Sequence, residues 1–124
     1  MRFIAVLGTL FILSSCSNWD ISENFSVSCF KFRDNGDTVW EKTETWTFDF
    51  NFDNNIVTSK PYYDNGKSGF PERYDIIENS SKHIYFGKNT WEYTFNRRNL
   101  WLTYYKFDYI DTVEIIYMCE LPQV

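Results

Sequence analysis

Few side chains in this 124-residue chain have a type and spacing that could do chemistry. Asp49, Asn51 and Asp53 alternate along one stretch and carry the oxygen ligands that calcium takes. On an extended backbone, residues two apart sit roughly 6 to 7 Å from each other, which spreads them too widely to close round one ion. The glycine and terminal glutamate of a calcium-binding loop are also missing, so the stretch reads as a solvated polar face. Asp64-Asn65-Gly66 meets the same objection. The sole histidine, His83, is out of phase with Ile84 and Phe86 and should face water. There is no serine, histidine and aspartate ordering, no carboxylate pair with a matching pocket signal and no glycine-rich phosphate loop. The reading is of a non-catalytic protein with no metal and no cofactor.

What remains chemically unusual is the aromatic content: 12 Phe, 9 Tyr and 5 Trp. Their placement is periodic. In Thr45 to Asp53 every second residue is aromatic, so Trp46, Phe48, Phe50 and Phe52 share one face of a strand while Thr47, Asp49, Asn51 and Asp53 take the other. Trp91, Tyr93 and Phe95 repeat the pattern. Large rings filling a small core account for these. The rings left over are Trp101, Tyr104, Tyr105, Phe107 and Tyr109 on a stretch apolar on both faces, with Tyr62, Tyr63, Ser68, Gly69 and Phe70 around the longest loop. Trp101, Tyr105, Phe107, Tyr62, Tyr63, Ser68, Gly69 and Phe70 are therefore the candidate contacts for a ligand or partner.

The elements that position them are strands throughout. Phe25 to Arg33, Thr38 to Phe52, Ile56 to Tyr63, Tyr74 to Glu78, His83 to Gly87, Thr90 to Phe95, Leu100 to Phe107 and Thr112 to Glu120 make eight, with short connections that imply antiparallel neighbours. Asn35-Gly36 is a hairpin signal for a type I′ turn. Apolar phase in the first strand flips after Cys29, which predicts a bulge there. Two glycines and Pro71 mark residues 64–71 as the most mobile loop. Eight short strands on a small chain close most simply into an all-β, single eight-stranded antiparallel up-and-down barrel; a two-sheet sandwich is the competing architecture. Strands of five to seven residues are short for a membrane-spanning barrel.

Residues 1–15 read as an export signal, with Arg2 followed by an apolar run from Phe3 to Leu13. Residues 16–24 then form a tether and 25–124 the domain. Removing the signal leaves 109 residues, enough for one domain, with a net charge shifting from −5 to −6. That acidity and the lack of a basic cluster exclude nucleic acid and anionic headgroups as partners. With Cys16 set apart at the start of the tether, Cys29 and Cys119 allow one disulfide, which an oxidising compartment favours; two buried thiols are the alternative. Barrel closure would set those two cysteines side by side.

Leu13-Ser14-Ser15-Cys16 resembles the lipobox of bacterial lipoproteins. That implies lipid on Cys16, membrane attachment through it, and residence in the cell envelope at the outer membrane, on its periplasmic or surface side. Trp46-Thr47-Phe48, Phe50-x-Phe52-Asp53-Asn54-Asn55-x-Val57, Tyr74-x-Ile76, Trp91-x-Tyr93 and Leu100-x-Leu102 resemble the small lipocalin-like domains of such lipoproteins, with Ser17-Asn18-Trp19 in place of a Gly-x-Trp. This implies a barrel that binds a small apolar ligand, a glycan or a protein. Cys29, Cys119, and Ser68-Gly69 ahead of Tyr74 resemble the membrane-bound inhibitors of c-type lysozyme. That second likeness implies an inhibitor or immunity protein acting on a secreted enzyme.

Overall fold

The computed structural model describes residues 20–88, 90–107 and 112–122, with the backbone alone for residues 40–43, 107 and 112. Eight strands follow in order: β1 (Phe25–Asp34), β2 (Asp37–Asn51), β3 (Ile56–Tyr63), β4 (Glu72–Asn79), β5 (His83–Lys88), β6 (Trp91–Asn96), β7 (Trp101–Phe107) and β8 (Thr112–Glu120). Each pairs antiparallel with its chain neighbours, and β8 returns to β1. The sheet is a closed up-and-down barrel, so the sandwich is excluded. Cys16 lies outside the described residues.

Alternation along each strand decides what the barrel encloses. Val27 and Cys29 of β1, Phe48 and Phe50 of β2, Ile84 and Phe86 of β5, and Tyr93 and Phe95 of β6 point inward and are buried. Ser28, Asp49, Asp75 and Glu92 occupy the opposite phase and are exposed. A polar outside around an aromatic inside reverses the arrangement of a membrane-spanning barrel. The core rings interlock: Phe50 meets Phe86 edge-on at 5.5 Å and Phe95 at 5.2 Å, and Phe86 stacks on Tyr93 at 4.9 Å. Such pairs add roughly 0.5 to 1.5 kcal/mol each beyond the area they bury.

Asn35 and Gly36 adopt φ of 49° and 91° between the paired Asp34 and Asp37, the left-handed pair that a type I′ hairpin requires. The expected bulge in β1 is present. Register shifts fall between Cys29 and Lys31 against β2, and between Lys31 and Arg33 against both neighbours. Cys29 and Cys119 are direct cross-strand partners on β1 and β8, and they form a disulfide.

The connections put the chain's entry and three turns at one end, the floor. There Arg97 is almost fully buried. Its Nε donates to the Ser80 carbonyl at 2.8 Å, and its Nη2 donates to Asn79 Oδ1 at 2.6 Å and to the Ile21 carbonyl at 3.2 Å. The guanidinium also lies 5.6 Å from the Phe25 ring centre and 5.5 Å from that of Phe52. A delocalised cation with rings on one side and carbonyls on the other closes this end. Residues 20–24 dock beside it, where Asn24 accepts from the Phe52 amide at 2.8 Å and donates to Asp53 at 3.1 Å.

The disulfide closes a loop of sequence separation 90, for which loop entropy supplies on the order of 4 to 5 kcal/mol. Reduction should lower the unfolding free energy by a large part of that in equilibrium urea titrations. A loss below about 1 kcal/mol would mean that β1–β8 pairing holds the seam unaided.

Candidate functional site

At the end opposite the floor, β1 and β2 separate. Below this point they pair residue for residue up to Cys29 with Trp46; the next pair is Lys31 with Glu41, so β2 takes five residue steps where β1 takes two. Over that excursion β2 stays on β3, pairing Glu44 with Tyr63, while β1 stays on β8, pairing Lys31 with Tyr117. The seam opens into a mouth. Lys31 and Tyr117 on one side, with Glu44 and Trp46 on the other, line a cavity of about 130 Å³, the space of roughly four waters. Asp34, at the end of β1, lies 3.6 Å from the Lys31 ammonium.

Beneath the mouth lies a group of tyrosines. Tyr74 and Tyr93 bring their hydroxyls to 3.3 Å, and the Tyr93 and Tyr104 rings stand 4.8 Å apart. Burial, reinforced by neighbouring phenols, pushes Tyr93 far above the usual tyrosine range. Tyr117 is pushed up by burial, with Glu44, Tyr104, Tyr74 and Asp34 adding to it. Tyr104 rises for the same first reason. Tyr93, Tyr104 and Tyr117 are thereby favoured as neutral hydrogen-bonding groups.

The rim of the mouth carries most of the contact residues expected from sequence. Residues 64–71 do not form a loose loop, as their glycines had implied. Tyr63 donates its amide to the Lys67 carbonyl at 2.9 Å, Gly66 to Tyr63 at 3.1 Å and Gly69 to Pro61 at 3.0 Å, and Tyr62 bridges to Ser68. The segment is a hydrogen-bonded hairpin that extends β3. A β-carbon at Gly69 would lie 2.6 Å from the Pro61 ring, so this glycine lets the two arms approach. Tyr62 and Tyr63 are exposed along the hairpin, Ser68 is exposed, and Phe70 keeps 90% of its surface open to solvent.

The β7 candidates do not join them. In a ring of eight, β3 and β7 are four strands apart in either direction, on opposite walls. Trp101 lies towards the floor and packs edge-on against Phe32 at 5.1 Å, while the Tyr105 hydroxyl donates to Glu114 at 2.7 Å. The backbone of Phe107 pairs with Thr112 at the rim; its side chain and all of Tyr109 lie outside the described residues. The two apolar faces of β7 are thus divided, with Leu102 and Tyr104 inside and Trp101 and Tyr105 outside.

Two further readings, those of Trp91 and His83, need adjustment. Trp91, expected in the core with Tyr93 and Phe95, sits at the rim with 38% of its surface exposed, edge-on to Tyr104 at 6.3 Å and under the Lys106 ammonium. His83 is half-buried against Tyr85, with ring centres at 4.3 Å, and its Nε2 lies 3.7 Å from Glu78. Asp49 accepts from the Ser26 hydroxyl, and among the described residues no three His, Cys, Asp or Glu side chains converge as a metal site.

The sequence reading missed the cavity lining itself. Its signal was present: Glu44 continues the inward phase of Trp46, Phe48 and Phe50, and Lys31 continues that of Val27 and Cys29. Here the inward-phase charges stand beside the break in β1–β2 pairing.

No family model, curated protein or solved structure matches this chain. The case for function therefore rests on these geometries.

The buried phenols set a pH dependence. Their unfolded-state pKa is near 10.0 and their folded-state values are higher, so above about pH 10 the unfolded chain binds fewer protons than the fold. Stability should be level through neutrality and fall as pH rises beyond that value. Urea midpoints measured across the alkaline range check the sign, and Tyr93→Phe should flatten part of the decline.

Proposed function

We propose that this chain is a lipoprotein of the bacterial cell envelope, anchored through lipid on Cys16 at the outer membrane, and that it is a non-catalytic module that binds a protein. Leu13-Ser14-Ser15-Cys16 after an apolar run supports the anchor. The observation that carries the binding reading is Phe70, a phenylalanine with 90% of its surface exposed on an ordered hairpin beside Tyr62 and Tyr63. An exposed aromatic of this size costs solubility and gives nothing to the core, whereas aromatic anchors held on a preorganised element are what protein interfaces use.

Two observations favour a protein over a large apolar ligand carried inside. Phe48, Phe50, Phe86 and Phe95 fill the barrel centre with mutual ring contacts. The mouth cavity of about 130 Å³ is well under the roughly 300 to 1,000 Å³ of pockets that enclose drug-sized ligands. A net charge of −6 once residues 1–15 are removed favours a basic partner and speeds its encounter.

The inhibitor or immunity protein is a narrower form of the same reading, in which the partner is a secreted enzyme. It draws on the hairpin's own backbone bonds, which hold Ser68 and Gly69 rigid enough to enter a cleft.

A photoreactive residue placed at position 70 of the full chain in intact envelopes should give one discrete protein adduct, and the same residue at Ile77 on the outer wall should not. Phe70→Ala combined with Tyr62→Ala should weaken that complex about tenfold or more. An adduct at Ile77 with none at position 70 would move the interface elsewhere. Unchanged turnover of a c-type lysozyme under excess of the soluble domain would remove that enzyme class from the partners.

A further inference from the structure

Ring closure pairs each strand on both sides only as far as its neighbours reach. Between β4 and β5 the ladder nearest the mouth is Asp75 with Gly87, and the chain then turns back into β6, pairing Lys88 with Trp91. Residues 67–71 stand above that ladder, backed by β3 on one side and with no β5 on the other. They form a sheet edge at the rim. β2, including residues 40–43, lies across β3 from this edge.

The hairpin's own bonds decide which backbone groups face outward. Lys67 accepts from Tyr63 and Gly69 donates to Pro61, so these two residues turn their backbone polar groups towards β3. Ser68 bridges Tyr62 between them, and by the alternation of an antiparallel ladder it turns both its N–H and its C=O the other way. Among the described residues neither group meets another backbone group. The register then slips: β3 takes two steps from Pro61 to Ser59 while the facing arm takes three from Gly69 to Glu72. Phe70 and Pro71 fall in that bulge, beside the outward-facing Ser68, and the Phe70 ring stands in solvent. Pro71 has no N–H, so it ends the edge and keeps it short.

We propose that the partner of the hairpin docks as an extended strand, pairing its backbone with Ser68 and covering the Phe70 ring with its own apolar side chains. The proposal rests on the protein-binding reading and names the shape that the partner presents. An N–H and a C=O projecting together from one residue of an ordered edge are matched together by another extended backbone, which supplies affinity, while the ring beside them fixes the register. The strand belongs to a different protein, because two copies of a domain carrying a net charge of −6 repel each other.

The full chain in intact envelopes, with the photoreactive residue at position 70, tests this in three backgrounds: unaltered, Ser68→Ala and Ser68→Pro. Ser68→Ala keeps the outward N–H and should leave the adduct unchanged. Ser68→Pro deletes that N–H and should reduce the adduct about tenfold or more. Hydrogen exchange at the Tyr63 and Gly69 amides of the soluble domain checks that the hairpin still forms in each variant. A second readout needs no proline: probes at positions 68 and 70 of the otherwise unaltered chain should capture residues within about three of each other in one partner segment. Capture from separate segments overturns the strand, as does an adduct that survives Ser68→Pro with the hairpin intact, and either result leaves the protein-binding reading standing. An adduct of twice the mass of the chain identifies a second copy and overturns the choice of a different protein. No adduct at position 70 in the unaltered chain removes the strand and the protein-binding reading together.

Discussion

An open sheet leaves two rows of unpaired backbone groups at its edges, and in this protein each row is satisfied by the other. The pairing of β1 with β8 is the constraint from which the remaining structure follows. Once the ring is closed, each strand has an inside and an outside, and a one-residue slip anywhere would turn its rings to water. The disulfide lies on a directly paired position of that seam, so it strengthens the closure without having to create it. Short chain connections and strict alternation then leave little freedom for any other arrangement of eight strands.

The interior is unequal along its axis. Towards the floor it is phenylalanine with one buried arginine, tightly bonded and closed. Towards the mouth, tyrosines replace phenylalanines and two charges enter the lining. Rings are in mutual contact along the whole interior, and above the tyrosines β2 departs from β1.

Much of this architecture was legible in the residues because period-two alternation is a local signal. Trp46, Phe48 and Phe50 declare one wall, Asn35-Gly36 declares its turn type, and the phase change after Cys29 declares a bulge. The closure and the Cys29–Cys119 pairing followed from counting strands and cysteines. What escaped was set by distant neighbours. Nothing near Arg97 in sequence announces that it will be buried, because its carbonyl partners come from Ile21 and Ser80. The ordering of residues 64–71 depends on a close approach to Pro61 that composition does not reveal. Trp101 and Tyr62 looked alike as surplus rings; the fold separates them because one meets Phe32 across the seam and the other meets solvent. Lys31 and Glu44 were readable as inward charges, but only to a reader already certain of the phase through an irregular stretch.

The docking of residues 20–24 against the floor fixes a direction for the molecule. The chain enters beside Arg97, and β3 then runs eight residues from that end to the hairpin, a height of roughly 20 Å once strand tilt is allowed for. A tie on the N-terminal segment would therefore pull at the sealed end. The hairpin and the cleft would be carried outward on a rigid pedestal, facing away from the point of attachment, without any long flexible linker to present them.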